Sequence, residues 1–223
     1  MRSSASGQTA SERPDSLFPS EPMTQPEYIA ALLSIIVGLG LTDLAQSLRE
    51  LVRPQRRVEW HWLPLLWAAT TFLLAVQLWW NSFSFLNRAT SAFFFPYLIA
   101  FLLLYLTCAF ALPDPEWERP RAGSGGSSGP SSTLDLEAFY FSTTHRRWYF
   151  GTFIAFVVVS QIGGQTVRAL ESEPNLPELL SNGILVAGLA GLVVTDRWWI
   201  HSPVSVLCFL GIGGSTLDAI LGF

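Results

Sequence analysis

Asp43 is the side chain best placed to do chemistry in this chain of 223 residues, because it is a carboxylate within the apolar stretch GLGLTDLAQSL. Gln46 and Glu50 follow at i+3 and i+7, so the three side chains share one face of a helix. Ionisable groups inside apolar helices are costly and usually mark ion, proton or substrate pathways. We therefore expect this face to line a pathway for a small solute or ion. In the alternative interpretation, Asp43 pairs with Arg49 or a neighbouring helix end and only fixes packing.

Two later segments combine glycine pairs with polar and charged side chains. SQIGGQTVR contains Gln161 and Arg168, and GIGGSTLD contains Asp218. Small residues let helices approach closely, and polar side chains between them form hydrogen bonds. We expect Arg168 and Asp218 to lie at similar depth and to form an ion pair. Packing is the favoured interpretation, and an ion or substrate pathway between these helices is the alternative.

The histidines have a regular placement, since each lies just before an even-numbered apolar run: His61, His145 and His201. Carboxylates end, or nearly end, the odd-numbered runs: Asp43, Asp114 and Asp196. Three imidazoles with carboxylates at one level could bind zinc or relay protons. However, no two histidines have the i, i+4 spacing of a helical metal site. Histidines that contact water and lipid at the membrane interface are the favoured interpretation.

Six apolar runs position these residues, and each has about the length that a bilayer requires. A helix needs roughly 20 apolar residues to cross the hydrocarbon core, where no water satisfies exposed backbone groups. The runs occupy residues 28–48, 62–83, 92–112, 148–167, 179–195 and 203–221. The sequence thus predicts an all-α, polytopic membrane bundle of six transmembrane helices. Ser202-Pro203 predicts the start of the last helix, with serine as the N-cap and proline at the first position.

A segment rich in glycine and serine, AGSGGSSGPSS, divides the runs three and three. We predict a disordered tail over 1–27, a first transmembrane triplet over 28–112, a cytoplasmic linker over 113–146 and a second triplet over 147–223. The stretch LDLEAFYFSTTHRRWYF predicts an interfacial helix in that linker or a fourth membrane helix that begins outside the bilayer. Met23 is a candidate start codon. A 3+3 order is the topology of inverted-repeat transporters, although the two halves share little sequence.

Arginine placement predicts the orientation. All thirteen basic residues are arginine, which is typical of a GC-rich bacterial genome. Those near run ends concentrate after the first, third and fifth runs, and such loops stay cytoplasmic. They are Arg49, Arg53, Arg56, Arg57, Arg119, Arg121, Arg146, Arg147 and Arg197. We therefore predict an inner-membrane protein with both termini outside.

Composition narrows the classes of function. The net charge of −4 gives no broad basic surface, so a nucleic-acid partner is not expected. The sequence lacks a phosphate-binding glycine loop and H-E-x-x-H, and its G-x-S-x-G match, GGSSG at 125–129, lies in the glycine- and serine-rich segment rather than at an elbow between a strand and a helix. This argues against an ATP-driven pump or a serine hydrolase. No cofactor is expected. The leading hypothesis is a solute or ion transporter or channel that works as an oligomer. The alternatives are a membrane scaffold or subunit of a complex, and a metal-binding membrane enzyme or redox protein.

Overall fold

The structure is a computed structural model and describes residues 24–53, 57–86, 94–113, 134–171 and 176–221. These residues form seven helices and one pair of very short strands. The helices are Gln25–Val52 (α1), Trp62–Leu86 (α2), Phe94–Phe110 (α3), Leu136–Phe141 (α4), Thr143–Glu171 (α5), Leu176–Val194 (α6) and Trp198–Leu221 (α7). The strands are Val58–Glu59 (β1) and Leu134–Asp135 (β2). Residues 1–23 of the predicted tail and 114–133 of the predicted linker lie outside the described residues, and α1 already begins at Gln25, inside the tail predicted over 1–27.

The six long helices form a closed ring in the order α1, α2, α7, α6, α5, α3, each packing against its neighbours. Lipid tails are as apolar as leucine, so close packing and hydrogen bonds, rather than water exclusion, hold such helices together. The centre is filled by aromatic side chains of α2 and α5. Trp67 meets Tyr149, Phe150 and Phe153 edge-on, with ring centroids 5.1–5.8 Å apart. The prediction of an all-helical bundle is confirmed.

Three of the described helices are long and apolar enough to cross a membrane: α1, the Trp62–Ser82 part of α2, and the Trp198–Ala219 part of α7. Helix α3 and the Leu179–Val194 part of α6 are apolar but shorter. Helix α5 has 29 residues, but Arg146, Arg147 and Gln161 interrupt its apolar character. The arrangement of six spans therefore stays a prediction.

The packing order differs from that of an inverted repeat. A twofold axis relating α1–α3 to α5–α7 would match the α3–α5 contact with one between α7 and α1. It would likewise match the α2–α7 contact with one between α6 and α3. Among the described residues, neither α1 with α7 nor α3 with α6 packs comparably. The two triplets thus make unlike contacts.

Helix α7 begins earlier than the sequence predicted. We expected Ser202 to cap it and Pro203 to occupy the first helical position, but α7 starts at Trp198 and Pro203 lies inside it. Proline lacks the N–H that would bond one turn back, which normally weakens a helix interior. Here the first turn is closed by bonds from the backbone N–H groups of Ile200 and His201 to the Arg197 carbonyl, at 3.0 and 3.3 Å. This additional turn is what brings His201 into the bundle.

Strand pairing joins two segments that are far apart in sequence. Val58 and Glu59 pair in parallel with Leu134 and Asp135, and the Leu134 N–H donates to the Arg57 carbonyl at 2.8 Å. The connection between α1 and α2 and the segment before α4 therefore lie at the same end of the ring. Helix α4 packs there against α2 and α5.

Gly40 marks the close contact between α1 and α3, and this makes the packing testable. A Cβ atom at Gly40 would lie 3.3 Å from Cys108 Sγ and 3.5 Å from Tyr105 Cα, whereas one at Gly38 would meet nothing within 4 Å. Gly40→Leu is expected to lower the free energy of unfolding in detergent by about 1–3 kcal/mol relative to Gly38→Leu, because overpacking separates the helices. Both substitutions gain the same helix propensity, so equal stabilities of the two variants would contradict this packing.

Candidate functional site

The densest set of interacting polar side chains lies at the end of the ring that α4 covers. We call it the α4 junction and define it by Trp67, Tyr140, His145, Arg146, Tyr149, Thr195 and His201. These residues come from α2, α4, α5, the turn between α6 and α7, and α7. The junction is where all parts of this end of the bundle meet.

Helix α4 is short because its two ends are fixed separately. The Asp135 carboxylate caps its start and accepts hydrogen bonds from the N–H groups of Glu137 and Ala138, at 2.8 and 3.1 Å. Ser142 ends it in an extended conformation, and α5 begins at the next residue. The spacing of its buried side chains, i, i+3 and i+4, turns Leu136, Phe139 and Tyr140 inward. The apolar face that suggested an interfacial helix is thus packed on the bundle.

A chain of hydrogen bonds runs through the junction in one direction. Trp67 Nε1–H donates to the Tyr140 hydroxyl at 3.0 Å, and that hydroxyl lies 2.9 Å from His201 Nδ1. His201 Nε2 is 2.7 Å from the Thr195 carbonyl oxygen. A carbonyl only accepts, so Nε2 holds a proton, and Nδ1 of a neutral ring accepts from Tyr140. For a neutral His201, the geometry therefore assigns the Nε2–H tautomer.

The Thr195 carbonyl receives a second donor from α5. Arg146 Nη1 donates to it at 2.5 Å and also forms an ion pair with the Asp196 carboxylate. This carbonyl follows directly after α6, where the last backbone oxygens lack partners within the helix and donors from side chains stabilise them. The Arg146 side chain is 5% exposed and that of Asp196 is 75% exposed. The guanidinium is thus buried and its counter-ion lies at the surface.

The second histidine of the junction is enclosed by aromatic rings. His145 stacks on Tyr149 at 5.4 Å with an interplanar angle of 9°, and its centroid is 4.2 Å from that of Phe139. Burial lowers the pKa of His145 to about 3, so its imidazole is neutral at physiological pH. Burial also raises the pKa of Tyr140 to about 12, which keeps its hydroxyl a donor. Tyr149 bonds to α2, with its hydroxyl 2.9 Å from Thr71 Oγ1.

Most polar groups of the junction face one another. The exception is Arg146 Nε, which is buried without a hydrogen-bond partner among the described residues. Trp67, Tyr140, Tyr149 and His201 each hydrogen-bond to a neighbour that orients them, which is the arrangement of a tie between helices, while the His145 ring contributes stacking contacts. The junction therefore holds α4 and the α6–α7 turn in place, and neutral histidines provide two of its contacts.

The residues predicted to line a pathway lie elsewhere, on α1. Asp43 is half-buried one turn after Gly40, on the flank of the face that packs against α3. Its carboxylate has no hydrogen bond or ion pair within the described part of the chain, and it does not pair with Arg49. Gln46 and Glu50 are exposed. The three polar side chains thus form one edge of α1 that the bundle leaves largely open.

The other residues predicted to line a pathway do not form one site among the described residues. Gln161 is half-buried on α5, and Asp218 is exposed on α7. The Arg168 side chain lies outside the described residues, so its predicted pair with Asp218 stays a prediction. Asp196 lies beside the α4 junction and forms an ion pair with its Arg146. On that side of the bundle, α2 and α7 are joined instead by Gln77 Nε2, which donates to Ser215 Oγ at 3.0 Å.

The histidines divide into a pair and a single residue. His145 and His201 both contact Tyr140, with ring centroids 6.0 and 5.4 Å from it. His61 lies at the start of α2, where it stacks on Trp62 and accepts from the Leu63 N–H at 3.4 Å. In the ranges that the structure describes, no three histidine, cysteine, aspartate or glutamate side chains are close enough to hold a metal ion. The structure therefore does not bring the three histidines together.

Sequence reasoning missed the partners that make the junction. Tyr140, Trp67 and Tyr149 resemble the many other aromatics of the chain, and nothing in their spacing indicates that their polar atoms meet. Arg146 and Arg147 are neighbours of the same type, yet only the first is buried. The available signal was helical spacing, since residues 146, 149, 150 and 153 share one face of a helix.

Comparisons with protein-family models, with curated proteins and with solved structures found no match to this chain.

Tyr140→Phe tests the hydrogen-bond chain. The variant keeps the ring but leaves Trp67 Nε1 without its acceptor and His201 Nδ1 without its donor. We expect the free energy of unfolding in detergent to fall by about 1–3 kcal/mol, the cost of buried polar groups that lose their partners. Tyr105→Phe is the matched control, because Tyr105 is half-buried and donates no hydrogen bond in the described residues. Equal free energies of unfolding for the two variants would contradict this chain of hydrogen bonds.

Proposed function

We propose that this chain is a multi-pass inner-membrane protein in which all six long helices cross the bilayer, three on each side of the linker, with both termini outside. Three helices have the length and apolarity for this, and the closed ring places the other three beside them. The α1–α2 connection, α4 and the α6–α7 turn meet at one end, as alternate crossings require. Arginines of that end mark it as cytoplasmic: Arg49, Arg53, Arg57, Arg146, Arg147 and Arg197.

We infer that the protein lets a small solute or ion pass the membrane, with Asp43 in the pathway. The observation that supports this is the contrast between the half-buried Asp43 and the buried Arg146, which has a counter-ion. Arg146 and Asp196 pair with each other, whereas the Asp43 carboxylate has no such partner in the described residues. A half-buried carboxylate without a counter-ion is costly in an apolar helix, and binding a cation or proton offsets that cost.

The pathway requires more than one copy of the chain. Trp67, Tyr149, Phe150 and Phe153 fill the centre of the ring, so a single copy leaves little room there. Asp43, Gln46 and Glu50 lie on the outer edge of α1, where a second copy could close a cavity around them. A homo-oligomer with Asp43 at the subunit boundary is therefore the arrangement we propose.

Asp43→Asn tests the assigned role. The amide cannot take the charge that attracts a cation or proton, so we expect flux of protons, Na⁺ or K⁺ in reconstituted vesicles to fall at least 10-fold. The flux is followed with pH-sensitive and ion-selective dyes trapped inside. The midpoint temperature of thermal unfolding in detergent should be unchanged or slightly higher, because an unpaired carboxylate has been removed.

Glu137→Gln is the control, since Glu137 is an exposed carboxylate on α4, away from α1. It should leave the flux at the level of the unmodified protein. If Asp43→Asn conducts as well as Glu137→Gln, or if the unmodified protein conducts no more than empty vesicles, the proposal is wrong.

A membrane scaffold or subunit of a complex is the second candidate, and local pairing favours it. His201 and Asp196 are satisfied by immediate neighbours, which suits side chains that only fix the fold. In that case the open edge of α1 binds another protein. Mild-detergent purification from the native membrane should then recover a second protein in fixed stoichiometry, and Asp43→Asn should release it. Recovery of this chain alone would count against a scaffold.

A further inference from the structure

We propose that α4 is a latch over one end of the bundle, closed while His145 and His201 are neutral and released when they take up protons. This inference does not depend on whether the protein conducts ions or anchors a partner. It rests on the way the two histidines enclose α4.

Helix α4 is held by burial of its apolar face, by contacts with the two imidazoles and by one hydrogen-bond chain. Its Phe139 ring lies against His145 at 4.2 Å, and its Phe141 ring lies 5.2 Å from His201. Between them, Tyr140 contacts both imidazoles and donates to His201 Nδ1. A six-residue helix has no stability of its own, so α4 exists because of this docking.

Protonation of His201 conflicts with the closed geometry. A proton on Nδ1 would replace an acceptor by a donor, so the Tyr140 hydroxyl, which accepts from Trp67, would have to turn its own proton away from His201. It would also place an imidazolium beside the Arg146 guanidinium, because both groups bond to the same carbonyl oxygen, at 2.7 and 2.5 Å. Two buried cations about 5 Å apart repel each other, and release of α4 lets water solvate the imidazolium.

His145 conflicts with protonation for a different reason. Its ring lies between Phe139 and Tyr149, where the imidazolium could not be solvated. The titratable and charged groups around the two imidazoles come from every element packed on them: Tyr140 of α4, Arg146 and Tyr149 of α5, Asp196 of the α6–α7 turn and Cys208 of α7. The Asp196 carboxylate is largely exposed and already paired with Arg146, so it cannot compensate two new charges.

The direction of the pH effect follows from proton binding. In the released form both imidazoles face water and titrate near pH 6.5, whereas burial lowers the pKa of His145 to about 3 in the closed form. A histidine whose pKa is lower in the closed form than in the released form stabilises the closed form. This stabilisation is complete above pH 6.5 and is lost as the pH falls below that value. From pH 7.5 to pH 5.5, the ratio of released to closed protein is expected to rise about 10-fold through His145, and protonation of His201 adds to this rise.

The experiment measures the position of α4 in lipid nanodiscs by double electron–electron resonance between two spin labels. One label is placed at Glu137→Cys on the exposed side of α4 and the other at Ala45→Cys on the exposed side of α1. The background carries Cys108→Ala and Cys208→Ala, which remove the two native thiols. The reference pair joins Ala45→Cys to Thr144→Cys at the start of α5, and its distance should not change with pH.

We expect one short distance between α4 and α1 at pH 7.5 and a second, longer distance that grows at pH 5.5. His201→Gln alone should leave a response of about 10-fold, carried by His145, and His145→Phe alone should leave only the response of His201. The double variant should abolish the pH response. Tyr140→Phe, which loses the donor to His201, should raise the released fraction already at pH 7.5 and make the response easier to measure. The proposal is overturned if neither the native junction nor Tyr140→Phe shows the second distance at pH 5.5. It is equally overturned if the double variant responds to pH as the native junction does.

Discussion

The structure depends most on how the carbonyl end of α6 is satisfied. The Thr195 carbonyl oxygen accepts from Arg146 and from His201, so a single atom joins α5, the α6–α7 turn and α7. Because that carbonyl cannot donate, it fixes the proton of His201 on Nε2 and makes Nδ1 an acceptor. The acceptor in turn orients Tyr140, and Tyr140 receives the indole N–H of Trp67. The position of α4 thus follows from the chemistry of one backbone oxygen.

The surroundings explain why this small set of bonds matters so much. In the aromatic interior of a bundle, an unpaired polar atom has no water to bond to, so each lost partner is costly. Neutral histidines suit such a place, since each offers one donor and one acceptor without charge. Arg146 is tolerated because its counter-ion Asp196 lies at the surface. The polar groups of the junction therefore act together, and Asp43 on α1 is a separate feature, whose carboxylate has no ion pair among the described residues.

The sequence predicted the part of the fold that depends on composition. Long apolar runs, bounded by arginines and prolines, predicted helices, and the structure is all-helical. The predicted start of α7 was wrong. Ser202-Pro203 is a typical helix start, and the sequence does not indicate the backbone bonds to the Arg197 carbonyl that make Pro203 the sixth residue of the helix. The junction could not be predicted, since Tyr140 and His201 are 61 residues apart and meet only through tertiary packing. His145 and His201 were singled out for their even spacing, but their role as buried neutral contacts depends on rings from three other elements.

The tautomer of His201 is the most direct measure of this account. ¹⁵N NMR of histidine-labelled protein in detergent or nanodiscs at pH 7.5 distinguishes a protonated from an unprotonated ring nitrogen at each histidine, and His201→Gln identifies the signal. The account requires Nε2 to be protonated and Nδ1 to be unprotonated, with the Nδ1 signal shifted when Tyr140 is replaced by phenylalanine. A proton on Nδ1, or a doubly protonated ring at pH 7.5, would contradict it.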